Sequence, residues 1–480
     1  MNGFNWNLVT MTNLSWQPDL DGLSGPRYQA LADALANDIA SGTLAPGTRL
    51  PTHRDLAWHL GVTVGTVSRG YAEATRRGLI AGEVGRGTFV QADAGGSVRA
   101  TPMIWPTSDA IGGNGINLAT NAPPIAGQDK LFAEELARLA ADPHIAHHLV
   151  YPPNLGRRDV RYTAAAWLSA TTGMDIPPER VFVTAGAQNA LMVAFNLVAR
   201  PGDTILVERL TYPGIKAVAR TMQARLSSVD MDEEGMIPEA LEAALRNQPV
   251  KLICCVPTLQ NPTGAVMGEE RRRAIAAIAD SHRVPILEDG IYDFLAGHEP
   301  GPIMRHAQTE GFFATSLSKS VSPALRCGFL IAPARMTDDA TRLMAGSALH
   351  ASLLMSELAR RWMEDGRVAL SEAAVRQEAT ARQALAAERL GRWELTAHPA
   401  SFHTWLTLPD PWRPSEFARA AEARGVMVTP AESFAIGRDP APFAVRLSLT
   451  GAMTRDDLQA GLDALAGLLD SAPVPYRNVV

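Results

Sequence analysis

Residues 314–333 read ATSLSKSVSPALRCGFLIAP, with a single lysine, Lys319, at the centre of a serine-rich turn between two apolar runs. Of the 44 lysines and arginines in the chain only Lys130, Lys216, Lys251 and Lys319 are lysines. Where positive charge alone is needed, this chain uses arginine. Arginine keeps its proton under ordinary conditions, whereas a lysine amine can lose it and become a nucleophile. A lone lysine is most often a solvated surface charge, so the motifs around Lys319 must decide its role.

Outward from this stretch, short β-rich apolar runs alternate with helical ones. RVFVTAG (180–186), DTILVE (203–208), VKLICCVP (250–257) and VPILEDG (284–290) read as strands. AQNALMVAFNLVAR (187–200) and EERRRAIAAIADSHR (269–283) read as helices. The alternation predicts βαβ units and a parallel sheet buried on both faces, hence an α/β fold. Beyond about residue 335 long Ala/Arg-rich helices precede alternating strands near SFHTWLTL (401–408) and FAVRLSLT (443–450), which predicts a smaller α+β lobe.

The 480 residues, 46% of them hydrophobic, are enough for two or three globular units. The net charge of −6 does not mark the whole chain as a polyanion binder, although a small basic module fits inside it. Cys254, Cys255 and Cys327 lie in apolar runs without ligand spacing, so neither a disulfide framework nor a metal site is expected, and a reducing cytoplasm fits. Residues 1–20 carry no export signal, and no uninterrupted apolar run reaches the length of a membrane span.

A Gly/Pro/Ser/Thr-rich linker at 93–115 separates the large domain, 116–475, from a short module at 25–92, itself preceded by an extension at 1–24. In the short module Leu31, Leu35 and Ile39 fall at helical spacing. HRDLAWHLG (53–61) stops at Gly61, and Thr63 can cap VGTVSRGYAEATRRG (64–78), whose Val67, Tyr71 and Ala74 face inward. Two short helices joined by a glycine turn make a helix-turn-helix, and LIAGEVGRGTFV (79–90) reads as a two-stranded wing. Arg49, Arg54, Arg69, Arg76, Arg77 and Arg86 outnumber Asp55, Glu73 and Glu83 there, so the module is locally positive. Through GTLAPGTRLPTHRDLA (42–57), GVTVGTVSRGYAEATRRGLI (61–80) and GRGTFV (85–90) it resembles the winged helix-turn-helix of GntR-type bacterial regulators. The resemblance implies that Arg54, Thr63, Thr66, Ser68 and Arg69 face double-stranded DNA, with Arg86 and Gly87 reaching it from the wing. Val64 stands where many members carry arginine, which leaves the base preference open.

In the large domain four motifs need one explanation. TAGAQNAL (184–191) sets Gly186, Ala187 and Gln188 between a strand and a helix, a ready phosphate site. NPTG begins at Asn261, LEDGIYDF (287–294) supplies Asp289 and Tyr292, and SLSKSVSPALR (316–326) supplies Ser316, Ser318, Lys319 and Arg326. Singly these are a helix start, a turn and an N-cap. Together they match what pyridoxal 5'-phosphate (PLP) needs. Lys319 would hold its aldehyde, Asp289 its ring nitrogen, Asn261 and Tyr292 its phenolic oxygen, and Tyr212 would stack on the ring. Gly186, Ala187, Gln188, Ser316, Ser318 and Arg326 would bind its phosphate.

Order and spacing resemble the fold-type I aminotransferases along nearly all of residues 115–470. That likeness implies that Tyr151 contacts the phosphate in a neighbouring subunit and that Arg446 clamps a substrate carboxylate. Ala324 replaces a glycine common among relatives, with no evident effect on chemistry. A GntR-type winged helix joined to an aminotransferase-like domain resembles the MocR family of transcription regulators. The resemblance implies a head-to-tail homodimer that senses an amino acid or amine by external aldimine formation at Lys319. Competing readings are an active aminotransferase with an accessory DNA-binding module, and a DNA-binding protein whose large domain only dimerises.

Overall fold

Three helices with one apolar side each build the first unit. α1 (Arg27–Ala40), α2 (His53–His59) and α3 (Val64–Arg76) turn Leu31, Leu35, Ile39, Leu56, Val67, Tyr71 and Ala74 onto a common core. The turn between α2 and α3 passes through Gly61 at φ 62, and Thr63 Oγ1 accepts from Thr66 N–H at 3.1 Å, the expected N-cap. Strands β1 (Ile80–Glu83) and β2 (Gly87–Val90) pair antiparallel and add Ile80 and Val90 to the core. The buried Tyr71 hydroxyl donates to Pro51 O at 2.9 Å, and Trp16 joins the same core with its Nε1 donating to Asp38 at 2.8 Å.

The computed structural model describes residues 16–18, 26–40, 43–45, 47–76, 79–83, 87–90, 115–346, 350–437 and 441–471. It divides into two compact units, 1–102 and 103–480.

In the second unit the four predicted strands and three others form one sheet. They are β3 (Val181–Thr184), β4 (Thr204–Glu208), β5 (Arg225–Val229), β6 (Leu252–Cys255), β7 (Ile286–Asp289), β8 (Phe312–Ser316) and β9 (Gly328–Ile331), in the order β3-β9-β8-β7-β6-β4-β5. Side chains alternate between two helical layers. Phe182 and Leu330 pack with Leu191 and Phe195, while Val183 and Phe329 pack with Leu168 and Trp362. Burying such side chains contributes about 1.5–3 kcal/mol each, which is why both faces are apolar.

The expectation of a wholly parallel sheet needs one correction: β9 runs antiparallel to both β8 and β3. A parallel return needs a crossover of a dozen or more residues, usually through a helix. Residues 317–327 instead hold only the short 3₁₀ turn Pro323–Leu325. The quoted stretch is therefore a turn-back, with Lys319 at its tip. A Cβ on Gly328 would lie 2.7 Å from Gly186 Cα, so β9 meets the start of helix α4 (Ala187–Val198) backbone to backbone. Gly328→Ala is expected to lower stability by about 1–3 kcal/mol in denaturant melts, the usual cost of overpacking.

The small lobe carries β10 (Leu395–Thr396), β11 (His403–Thr407), β12 (Thr429–Pro430) and β13 (Ala444–Ser448) in the order β10-β11-β13-β12. The alternation expected along β13 does not leave a solvated face, since all five residues are buried. Val445 and Leu447 pack in a core with Leu390, Leu458 and Leu462, whereas Arg446 and Ser448 point into the polar centre described next.

Candidate functional site

On the first unit Arg54 and Arg69 are exposed, and Ser68 Oγ lies 3.2 Å from His53 Nδ1. Thr63 and Thr66 hydroxyls are 2.9 Å apart, and the Arg69 guanidinium sits 5.7 Å from the Tyr28 ring centre. Gly87 has φ 121 at the start of β2. Arg86 lies outside the described residues.

In the second unit the register sets the C-terminal ends of β3, β7 and β8 beside the N-terminal start of β9. Asp289 pairs with Ala314, Ser316 with Gly328, and Gly328 with Thr184. The residues that follow β3, β7 and β8 and those that precede β9 therefore open on one side of the sheet, beyond the carboxyl ends of its parallel strands, where α/β folds bind ligands. Gly186, at φ 90, begins α4; a Cβ there would lie 2.9 Å from Arg326 Nη2, and Arg326 donates to Ala185 O at 2.6 Å. Ser316 Oγ accepts from Ser318 N–H at 3.2 Å, and Gln188 Nε2 donates to Gly214 O at 2.9 Å.

Lys319 Nζ donates to the carbonyl of Asn121. Burial, then the Arg446 charge, lower its pKa to about 8, against a smaller opposing pull from Asp289. Asp289 is buried, and burial raises its pKa to about 7. Its Oδ1 has no hydrogen-bond partner among the described residues, and neither do Ser318 Oγ and Gln188 Oε1. Orphaned polar atoms in a buried site call for a ligand or water.

Arg446 is buried; its Nη1 donates to Asn261 Oδ1 at 2.9 Å, and its Nη2 to Thr429 Oγ1 at 3.3 Å and to Ala119 O. Tyr292 is buried, and desolvation pushes its phenol up to about 12. Tyr212 caps helix α5 (Pro213–Thr221), against which Gly214 leaves no room for a Cβ: Tyr212 Cε1 would be 2.2 Å away. The structure thus brings together Lys319, Asp289, Asn261, Tyr292, Tyr212, Arg446, Ser316, Ser318, Arg326 and the start of α4. Tyr151 is apart, 85% exposed, with its ring 6.2 Å from that of His350.

Sequence reasoning missed Asn121 and His403. Asn121 Nδ2 donates to the Tyr292 hydroxyl and to His403 Nδ1, each at 2.9 Å, and its Oδ1 accepts from Ser448 at 2.6 Å. With Nδ1 accepting, His403 carries its proton on Nε2 and donates to Gln260 O at 3.1 Å. Burial, then Arg446, depress His403 to about 3, so it stays neutral. The run NLATNAPP (117–124) has no period and no recognisable spacing, which is why nothing in it stood out.

The descriptions "Aminotransferase class I and II" and "Bacterial regulatory proteins, gntR family" match residues 113–465 and 27–90. The chain belongs to the aminotransferase class I and II family, joined to a gntR-family segment. Similar proteins include the uncharacterized HTH-type transcriptional regulator YdeF of Bacillus subtilis, 29% identical over 95% of this chain and 97% of its own. TauR of Rhodobacter capsulatus is 31% identical over 65% of this chain and 69% of its own. The probable rhizopine catabolism regulatory protein MocR of Rhizobium meliloti is 25% identical over 84% and 86%. An archaeal alanine:glyoxylate aminotransferase shares the fold of the large domain, with TM-score 0.70 and 24% identity over 76% of this chain and 92% of its own. Among the described residues of this MocR-type chain no helix is long and apolar enough to cross a membrane.

Proposed function

We propose that the chain is a cytoplasmic, DNA-binding transcription regulator that binds PLP in its large domain and senses an amino acid or amine there. One observation carries the reading: a lysine of lowered pKa, a buried carboxylate with an orphaned oxygen and a buried arginine converge in a chain that also holds a winged helix. The residues fit the cofactor. Bound PLP supplies an aldehyde that condenses reversibly with amines and a ring nitrogen that, once protonated, withdraws electrons. Asp289 would hold that proton, the Asn261 amide and Tyr292 hydroxyl would bond the phenolic oxygen, and Tyr212 would face the ring. Ser316, Ser318, Arg326 and the N–H groups of Gly186, Ala187 and Gln188 would cradle the phosphate. Tyr151 would serve the site of a partner in a head-to-tail homodimer.

Arg446 would take the effector carboxylate, displacing the Ala119 carbonyl from Nη2. Lys319 holds the Asn121 carbonyl of the same segment. An effector that replaces both contacts would remove two of the hydrogen bonds that hold residues 119–121, a few positions past the 93–115 linker. This gives a covalent route to the winged helix. Such coupling requires that the effector bind the two arrangements unequally.

The test is operator binding by full-length protein in gel shift, with PLP and a panel of amino acids, amines and vitamin B6 forms. A change of about tenfold with one amine is expected, a coupling of ordinary allosteric size; no change across the panel would overturn the reading. Arg54→Ala should weaken binding to every DNA sequence alike and flatten the salt dependence by about one counterion. Salt titrations check this. The intact set Lys319, Asp289 and Arg446 also favours a second reading, an active aminotransferase. Many turnovers of an amino donor with a keto acid would establish it.

A further inference from the structure

Of the four lysines, Lys130 and Lys251 are exposed and Lys319 belongs to the site above. Lys216, on α5 one turn beyond Tyr212, is only partly exposed. Its Nζ donates to two small-lobe carbonyls, Ser433 O at 3.0 Å and Ala435 O at 2.9 Å. Between them Phe434 O accepts from Thr211 N–H at 3.0 Å, and Ile436 N–H donates to Arg209 O at 3.0 Å. Residues 433–436 are thereby sewn to residues 209–216 of the large lobe. A compact ammonium with three donors can bridge two carbonyls two residues apart; the planar arginine fork suits paired oxygens instead. This gives a reason for lysine at a second position in an arginine-rich chain.

What the sewn segment holds is Phe434. Its ring is fully buried, lies 6.1 Å from Trp405, and faces the Arg446 guanidinium with 5.0 Å between that carbon and the ring centre. Stacking fixes the plane of a guanidinium, so partners must approach in that plane. Asn261 and Thr429 already do, and Arg446 Nε is buried without a hydrogen bond among the described residues. We propose that Lys216 is a positioning residue for recognition of an amino-acid carboxylate: by pinning Ser433–Ala435 it keeps Phe434 stacked on Arg446 and so sets the plane of the clamp. The inference rests on the reading of Arg446 as the carboxylate site.

The experiment compares Lys216→Met and Lys216→Arg with the parent, all as full-length PLP-loaded protein. Absorbance titrations use a panel of amino acids, each matched with the amine lacking its carboxylate. Expected is a loss of about tenfold in affinity for the acids with Lys216→Met, as for about one net hydrogen bond weakened at the clamp, and less than about twofold for the amines. Lys216→Arg should recover part of the loss. Hydrogen exchange at the Thr211 and Ile436 amides, measured without effector, should accelerate in Lys216→Met. Equal losses for acids and amines, or no loss, overturn the proposal. If the parent itself binds the acids no better than the amines, the Arg446 reading fails instead. Amide exchange then decides for Lys216: faster exchange keeps the pinning role, and unchanged exchange removes it.

Discussion

Protein carrying Lys319→Ala or Lys319→Arg is expected to fold normally, lack the absorbance shift of lysine-bound PLP, and retain no label at residue 319 after borohydride reduction. Lys319 sits beyond β8 on a turn whose packing depends on Leu317, Val321 and Leu325, so the backbone should tolerate either change. Only an amine that can lose its proton serves. Burial and Arg446 lower Lys319 to about 8, so its neutral fraction rises through the window from about pH 7 to pH 9. Attachment to the cofactor should accelerate over that window in stopped-flow absorbance. Arginine keeps the charge and loses the chemistry. Effector-dependent DNA binding should vanish in both variants while basal DNA binding persists. Persistence of the effector response would favour a large domain that only dimerises.

The second large effect is expected at Asp289. Its carboxyl is raised from 3.8 to about 7 by burial, so the free protein holds it protonated at mildly acidic pH. The unfolded chain releases that proton near 4, and the folded one only near 7. Stability from this group is therefore full below about pH 4 and is lost as pH rises through about 7. Asp289→Asn removes the effect. Without cofactor, the variant should melt a few degrees above the parent at pH 8 and level with it near pH 4. Other buried carboxylates shift the same way, among them Glu208, also raised to about 7, and the comparison with the parent cancels them. Cofactor binding should respond oppositely. A protonated ring nitrogen needs an ionised partner, so Asp289→Asn should weaken PLP affinity by about a hundredfold or more, readable by fluorescence titration. An Asp289→Asn protein that melts below the parent at pH 8, or that binds PLP undiminished, would contradict this assignment.

Much of this site could be read because each group rides on a chain-local signal. Lys319 follows SLS, Asp289 ends an apolar strand, Asn261 opens NPTG, and Gly186 stands between a strand and a helix. Helical and strand periods act over a few residues, and so do caps and tight turns. The core of the winged helix was legible for the same reason, since Leu31, Leu35, Ile39, Val67, Tyr71 and Ala74 all fall at helical spacing and all are buried.

The direction of β9 was not legible from its own residues, because GFLI reads the same in either orientation. The short return through residues 317–327 decided it. Asn121, His403 and Lys216 escaped notice because their partners are remote in sequence: Asn121 meets His403 across 282 positions, and Lys216 meets Ala435 across 219. No local period records such pairings. The sequence by itself determined which elements form and which residue types carry the amine, carboxylate and guanidinium chemistry. Only the tertiary structure decided which carbonyls hold Lys319 and Arg446, which ring covers the clamp, and which lysine pins it. Hydrogen-bond partners at that separation are chosen by packing, after the local preferences have been spent.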